Sequence, residues 1–245
     1  MSCGRWFERR QVFGRQGAYR EMVMDPIMIA TYAVPVILAI TLHEAAHGFV
    51  ARHFGDDTAA RAGRVTLNPL KHIDLFGTIL LPAFLILSKA GFVFGYAKPV
   101  PVNFSALRHP KRDMIWVAAA GPGMNIFLAA LSAGLLVIAR RGGMTVPTWL
   151  SMALAYSIEI NLVLAVLNLW PIPPLDGSKI AVGLLPPVLA LPLWRLSRYG
   201  MLFLLAIFFL APLAGIDVFG WAIDKPVRFL ERPIISLLES QRAAP

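Results

Sequence analysis

His43-Glu44-Ala45-Ala46-His47 carries the strongest chemical signal in the chain. On a helix, residues four apart project from one face a turn apart, so both imidazoles can bind a single divalent ion. Glu44 lies off that line but beside the ion's open position, where a carboxylate can take a proton from bound water. With five His in 245 residues, such a pattern arises by chance in roughly under 1% of comparable chains. Its setting adds weight, because three ionisable groups inside an apolar run are expensive in lipid unless a function or a partner holds them. The bland alternative is two histidines that bond neighbouring helices and nothing more.

Two histidines leave a metal site incomplete, since catalytic zinc usually has three protein ligands and a water. Asp176, in Asn168-Leu-Trp-Pro-Ile-Pro-Pro-Leu-Asp176-Gly177, is the best third ligand. Pro171, Pro173 and Pro174 cannot continue a helix, so the carboxylate sits on stiff extended backbone at a helix end, with Gly177 allowing a sharp turn behind it. An ordinary N-cap for a helix over 178–185 is the competing role. His53, His72 and His109 are further ligand candidates in polar loops near Arg or Lys, and His72 is the second to test. Asn125 follows the small-residue run Ala120-Gly-Pro-Gly123, which permits close helix approach; its amide can bond a metal ligand or a substrate backbone. Asn168 can orient an imidazole or support the oxyanion of a tetrahedral intermediate. For both asparagines, helix-to-helix bonding is the plain alternative. Glu159 lies mid-helix and has no assigned role.

Composition says what must position these groups. The chain is 57% hydrophobic and 15% charged, with a mean hydropathy of +0.64, against about a quarter charged for a soluble domain. Its net charge of +9 comes from 23 Lys and Arg that flank apolar runs. That is the distribution of a polytopic membrane protein and not of a nucleic-acid binder. Cys3 is the single cysteine, which excludes an internal disulfide framework and a thiolate zinc cluster. A spanning helix needs about 20 apolar residues, and the stretches 26–51, 113–139, 149–171 and 199–222 qualify. Two more, 75–95 and 179–194, are broken by Gly and Pro and read as doubtful spans. The expected fold is an all-α polytopic bundle of about 4–6 membrane helices with a small β element near the metal. Residues 1–25 form a polar leader with five arginines, 26–222 the membrane domain, and 223–245 an amphipathic tail. No small-residue cleavage site follows the first apolar run, which disfavours a signal peptide.

Taken in order, these residues resemble the site-2 protease family of intramembrane zinc metalloproteases. The likeness extends through Gly55-Asp-Asp-Thr-Ala-Ala-Arg-Ala-Gly-Arg-Val-Thr-Leu-Asn-Pro69, Phe94-Gly-Tyr-Ala-Lys-Pro-Val-Pro-Val-Asn103, Ala119-Ala-Gly-Pro-Gly-Met-Asn125 and Asn168 to Gly177. It runs from about residue 28 to 222 and fits the compact bacterial branch without a PDZ domain. The resemblance implies one zinc per chain on His43, His47 and Asp176, with Glu44 activating the water and Asn168 assisting near the scissile peptide. It also implies a transmembrane protein substrate, cut near the cytosolic face of the inner membrane. The arginine-rich leader departs from that pattern, and a start at Met22, Met24 or Met28 would account for it.

Geometry then constrains the topology. His43 and His47 lie in the C-terminal half of the first span and Asp176 just beyond the end of 149–171, so sharing an ion requires those helices to run in the same direction. Segment 113–139 must run opposite, and 75–95 must dip in and return, bending near Pro82 or Ser88–Gly91. The flanks 64–68 and 97–103 then lie on one face and suit short strands, with Pro99 and Pro101 restricting the second to an edge. That edge could add an unwound substrate segment. Residues 52–112 hold nine Lys or Arg against three acids, which marks their face as cytoplasmic; the leader's arginines argue the other way. The main rival is a membrane metal-binding or metal-transport protein without peptidase activity. A silent scaffold is a weaker one.

Overall fold

The computed structural model of the protein describes residues 26–88, 95–218 and 220–240. The expected leader, 1–25, lies outside the described residues. Helix α1 (Pro26–His53) begins with a proline at its first position, where the missing N–H is not needed. A second short helix, α2 (Thr58–Arg61), follows the turn at Gly55, whose φ of 105° favours glycine. A π-helical turn (Leu75–Leu80) continues into α3 (Leu81–Leu87). The two long central helices are α4 (Pro110–Arg141) and α5 (Thr148–Asn168). After these come α6 (Asp176–Leu184), α7 (Pro187–Leu196), α8 (Gly200–Leu213) and α9 (Lys225–Ser240).

Helix boundaries follow from local chemistry. Asp113 accepts the N–H of His109 at 2.8 Å and seals the start of α4, with Pro110 in the first turn. Arg140 and Arg141 close that helix, where positive charge complements the dipole. Helix α5 stops at Asn168, three residues short of the expected 171, because the proline-rich stretch ahead cannot supply helical donors.

Four helical stretches among the described residues are long and apolar enough to cross a membrane: Pro26–His53, Pro110–Arg141, Thr148–Asn168 and Pro187–Ile207. The last corrects the sequence reading. The expected span 199–222 does not form one helix; α8 ends at Leu213, and the chain turns at Gly215, where φ is 74°. The apolar stretch instead starts twelve residues earlier, joining α7 to α8 through a 3₁₀ turn at Ser197–Tyr199. Pro187 sits at the start of α7, where a proline is harmless, so the prolines that made 179–194 look broken partly initiate a helix.

Segment 75–95 holds an apolar helix of only eleven residues, Leu75–Leu85, too short to cross. Pro82 lacks an N–H and leaves a carbonyl one turn back without a helical donor. The N–H of Tyr96 takes the carbonyl of Gly77 at 3.0 Å, and the Thr78 hydroxyl donates to the Tyr96 carbonyl at 2.9 Å. Residue 96 is therefore back at the level of residue 77, as the topology argument requires. The connection itself, 89–94, lies outside the described residues.

Helix directions can be read from side-chain bonds. Asn125 of α4 meets Ala39 and His43 of α1, while Val117, two turns earlier in α4, meets His47. Advancing along α1 means retreating along α4, so the pair is antiparallel. Asn125 pairs with Asn161 and Ser132 with Ser157, which makes α4 and α5 antiparallel as well. Hence α1 and α5 run in the same direction, and Tyr32 stacking edge-on against Tyr156 at 4.9 Å agrees.

Among the described residues no strand forms; 97–103 has no regular structure, ending in the short turn Phe104–Ala106. Its anchoring is local. Asp56 accepts the Asn103 N–H at 2.6 Å, Lys98 donates its N–H to the His72 carbonyl at 2.9 Å, and Arg64 reaches the Lys98 carbonyl at 2.5 Å. The apolar core lies away from this loop, where Ala129, Leu136, Ile158, Leu162, Leu204 and Val227 interlock α4, α5, α8 and α9, joined by Ile223 from the π-helical turn Gly220–Asp224. The amphipathic tail helix thus lays its apolar side on the bundle.

Candidate metal centre

Helix α1 projects His43 and His47 from one face, as their spacing demands, and both are buried. His43 Nε2 and His47 Nε2 are 3.1 Å apart, and Asp176 Oδ2 lies 3.2 Å from the first and 3.1 Å from the second. Around a tetrahedral ion with bonds of about 2.0–2.1 Å, donor atoms sit about 3.3 Å apart. The cluster therefore has zinc dimensions.

Proton bookkeeping strengthens the fit. His47 Nδ1 lies 2.7 Å from the Val117 carbonyl, which can only accept, so Nδ1 carries a proton and, in the neutral ring that metal binding requires, Nε2 presents a lone pair. His43 Nδ1 lies 2.6 Å from Asn125 Oδ1 and is likewise the donor. Two imidazole lone pairs and a carboxylate oxygen thus converge on one point. Such a trio repels itself unless a proton or a metal ion is shared among its members. His43, His47 and Asp176 each offer one ligand atom, and together they could hold a single metal ion.

Asp176 reaches this point because α6 starts beneath the end of α5. Leu175 is the N-cap and Asp176 lies in the first turn, so the N-cap alternative for Asp176 does not apply. The Gly177 requirement is one of space: a Cβ there would collide with the carbonyls of Leu169 and Trp170. Lys179, one turn on, donates to Asp176 Oδ1 at 2.8 Å and leaves Oδ2 for the cluster. Gly121 solves the same problem in α4, since a Cβ there would sit 2.5 Å from Nε2 of both histidines. The small-residue run read from the sequence is thus a floor that lets α4 pass under the imidazoles.

Glu44 is half-buried on the next face of α1, and its Oε2 accepts the Val100 N–H at 2.7 Å. That bond brings the 97–103 loop to the site. Asn125 is fully buried; of its two expected roles, bonding a metal ligand is the one its contacts match. Asn168 donates to the Leu164 carbonyl of its own helix at 2.9 Å. The remaining histidines stay apart: His72 bonds the Thr66 carbonyl at 3.0 Å, His53 lies against Phe54, and His109 caps α4. The sequence reading missed Asn161, which is buried behind Asn125. A polar amide inside an apolar span was the available signal.

Comparison with known proteins supports this chemistry. The Bacillus subtilis (strain 168) protein named "Putative zinc metalloprotease YwhC" is 40% identical over 188 residues, covering 75% of this chain and 82% of the relative. "Putative zinc metalloprotease Rip2" of Mycobacterium tuberculosis (strain H37Rv) is 31% identical over 208 residues, covering 82% and 77%. The Rip2 of Mycolicibacterium smegmatis is 33% identical over 169 residues, 66% of this chain and 62% of the relative. No family model matches the chain, and no solved structure matches it. With zinc-metalloprotease relatives covering most of its length, membrane-length helices and a His-His-Asp centre, the chain belongs to the site-2 protease family of zinc metalloproteases.

Proposed function

We propose that the protein is an intramembrane endopeptidase that hydrolyses a peptide bond within the membrane segment of a protein substrate. The observation that carries this reading is the siting of His43, Glu44 and His47 in a helix of membrane-spanning length, with Asp176 brought to the two histidines from the start of α6. Zinc, when bound, supplies Lewis acidity that brings the pKa of its water towards about 7 and polarises the peptide carbonyl. Glu44 takes the proton from the attacking water and passes it to the leaving amine. Its second carboxylate oxygen is held by the Val100 N–H, which fixes the orientation of the group.

Lipid poses a second problem, because an intact substrate helix hides its carbonyls in its own hydrogen bonds. The loop 97–103, which has no regular structure and runs past Glu44, is our candidate for receiving an unwound substrate as an added strand. Asn168 stands at the end of α5, ahead of the proline-rich approach to Asp176, and is assigned to support of the scissile peptide. The excess of basic residues in 52–112 supports an orientation with this end of the bundle at the cytoplasmic surface of the cell membrane.

Reconstitution in vesicles with a tagged single-span substrate tests the reading. Wild type should release both tagged fragments, and Glu44→Gln should retain zinc while losing roughly 10²–10⁴-fold in rate. Full zinc in wild type, with no cleavage of membrane-embedded substrates and unchanged metal handling in Glu44→Gln, would favour a metal-binding or metal-transport protein.

A further inference from the structure

Behind the metal centre runs a row of buried and partly buried polar side chains that crosses three membrane helices. His43 Nδ1 bonds Asn125 Oδ1 at 2.6 Å, and Asn125 Nδ2 donates to Asn161 Oδ1 at 2.9 Å. Asn161 Nδ2 donates to the Ser157 carbonyl at 2.8 Å and lies 3.3 Å from the Ser157 hydroxyl. Ser132 closes the row, donating to the Ser157 hydroxyl at 2.9 Å. Asn125 and Asn161 are 0% and 1% exposed, so water cannot replace a lost partner easily.

The polarity of this row is determined at its ends. A backbone carbonyl can only accept, so the Ser157 carbonyl obliges Asn161 to turn its amide nitrogen towards it and its oxygen towards Asn125. Asn125 must then offer its nitrogen to Asn161, which the Ala39 carbonyl, 3.2 Å away, independently requires. Its oxygen is left facing His43, whose Nδ1 must hold the proton. The Nε2 lone pair is thereby aimed at the zinc position. Flipping either amide would set oxygen against oxygen in a low-dielectric interior, which is strongly unfavourable.

We infer that Asn161 is a positioning residue for the metal centre, fixing the tautomer and orientation of His43 through Asn125. It touches neither zinc nor substrate. The inference rests on the proposed His43–His47–Asp176 zinc site and assigns that site an outer support on α5.

Zinc affinity of the detergent-purified full chain, measured by chelator competition, gives the first test, and the visible spectrum of the cobalt-substituted protein gives the second. Asn161→Leu should weaken zinc binding about tenfold, the low end for loss of an outer-shell partner, and shift the cobalt bands. Asn161→Asp should recover most of the affinity, since a protonated carboxyl again offers one acceptor and one donor. Where Asn161→Leu does not fold, Asn161→Ala is read in its place. Zinc affinity within twofold of wild type and an unchanged cobalt spectrum in a folded Asn161 variant would overturn the assignment. His43→Ala measured alongside separates the two failures. Lost zinc in His43→Ala with none lost at Asn161 rejects the support alone, whereas retained zinc in His43→Ala rejects the site itself.

Discussion

His43 and His72 are both buried, at 7% and 2% exposure, yet they occupy opposite kinds of environment. At His43 the proton-bearing nitrogen is bonded to Asn125 and the other faces two further donor groups, one on its own helix and one delivered by α6. At His72 one nitrogen bonds the Thr66 carbonyl, and Nδ1 has no hydrogen-bond partner. Arg64, in the same loop, also has a buried nitrogen without a partner. Burial of a histidine therefore does not make a ligand. Convergence of lone pairs does, together with a second bond that fixes which nitrogen carries the proton.

The largest test of that contrast is ligand removal. Asp176→Ala should reduce zinc from about one per chain to near zero, beyond the about 10–100-fold expected for an outer-shell loss. Elemental analysis of purified protein measures it, and full zinc in the variant would transfer the third-ligand role to another group. Gly121→Ala comes next. Its Cβ would lie 2.5 Å from both Nε2 atoms, so zinc affinity should fall about 10–100-fold while the helices still assemble. An unaltered affinity would mean that α4 can withdraw without cost to the site.

A smaller effect is expected at Asp56, which ties the 97–103 loop to the end of α1. Burial pushes its carboxyl pKa up, but the Thr58 hydroxyl and N–H and the Asn103 N–H outweigh that and hold it below the usual range. Because the folded value lies below the unfolded one, near 3.9, the stabilisation is fully present above about pH 4. It is lost as pH falls through the folded value. Protection of the Asn103 amide, taken relative to its intrinsic exchange rate at each pH, should fall on acidification in wild type, and Asp56→Asn should remove that dependence. The smallest change belongs to His72→Gln, with zinc within twofold of wild type and stability lowered by about 1 kcal/mol for one lost hydrogen bond. A marked zinc loss there would collapse the distinction between the two histidines.

Much of the site was legible because it is written in local spacing. Residues 43 and 47 share a face on any α-helix, and the prolines before Asp176 end α5 whatever surrounds them. The antiparallel placing of 113–139 and the return of 75–95 followed from requiring one shared ion. Other readings failed where apolar length alone was the guide. Residues 199–222 are apolar enough to span, yet the break after Leu213 and the start of a helix at Pro187 shift the stretch towards the N-terminus.

By itself the sequence determined which residues can ligate zinc, that both histidines lie in a membrane-length helix with the aspartate just past the end of another, and which neighbouring glycines permit close approach. These properties depend on periodicity, on apolar length and on the absence of a Cβ, all of which are local. Only the tertiary structure decided that Asn125 holds His43, that Asn161 stands behind it and that Val100 meets Glu44. It also decided that 97–103 lies against the site without forming a strand. Each of those joins residues from 36 to 82 positions apart, and in a lipid-facing bundle a buried amide can find its partner on any adjoining helix. The packing of α1, α4 and α5 selects among those partners, because each buried carbonyl accepts only a donor and each helix direction admits one register.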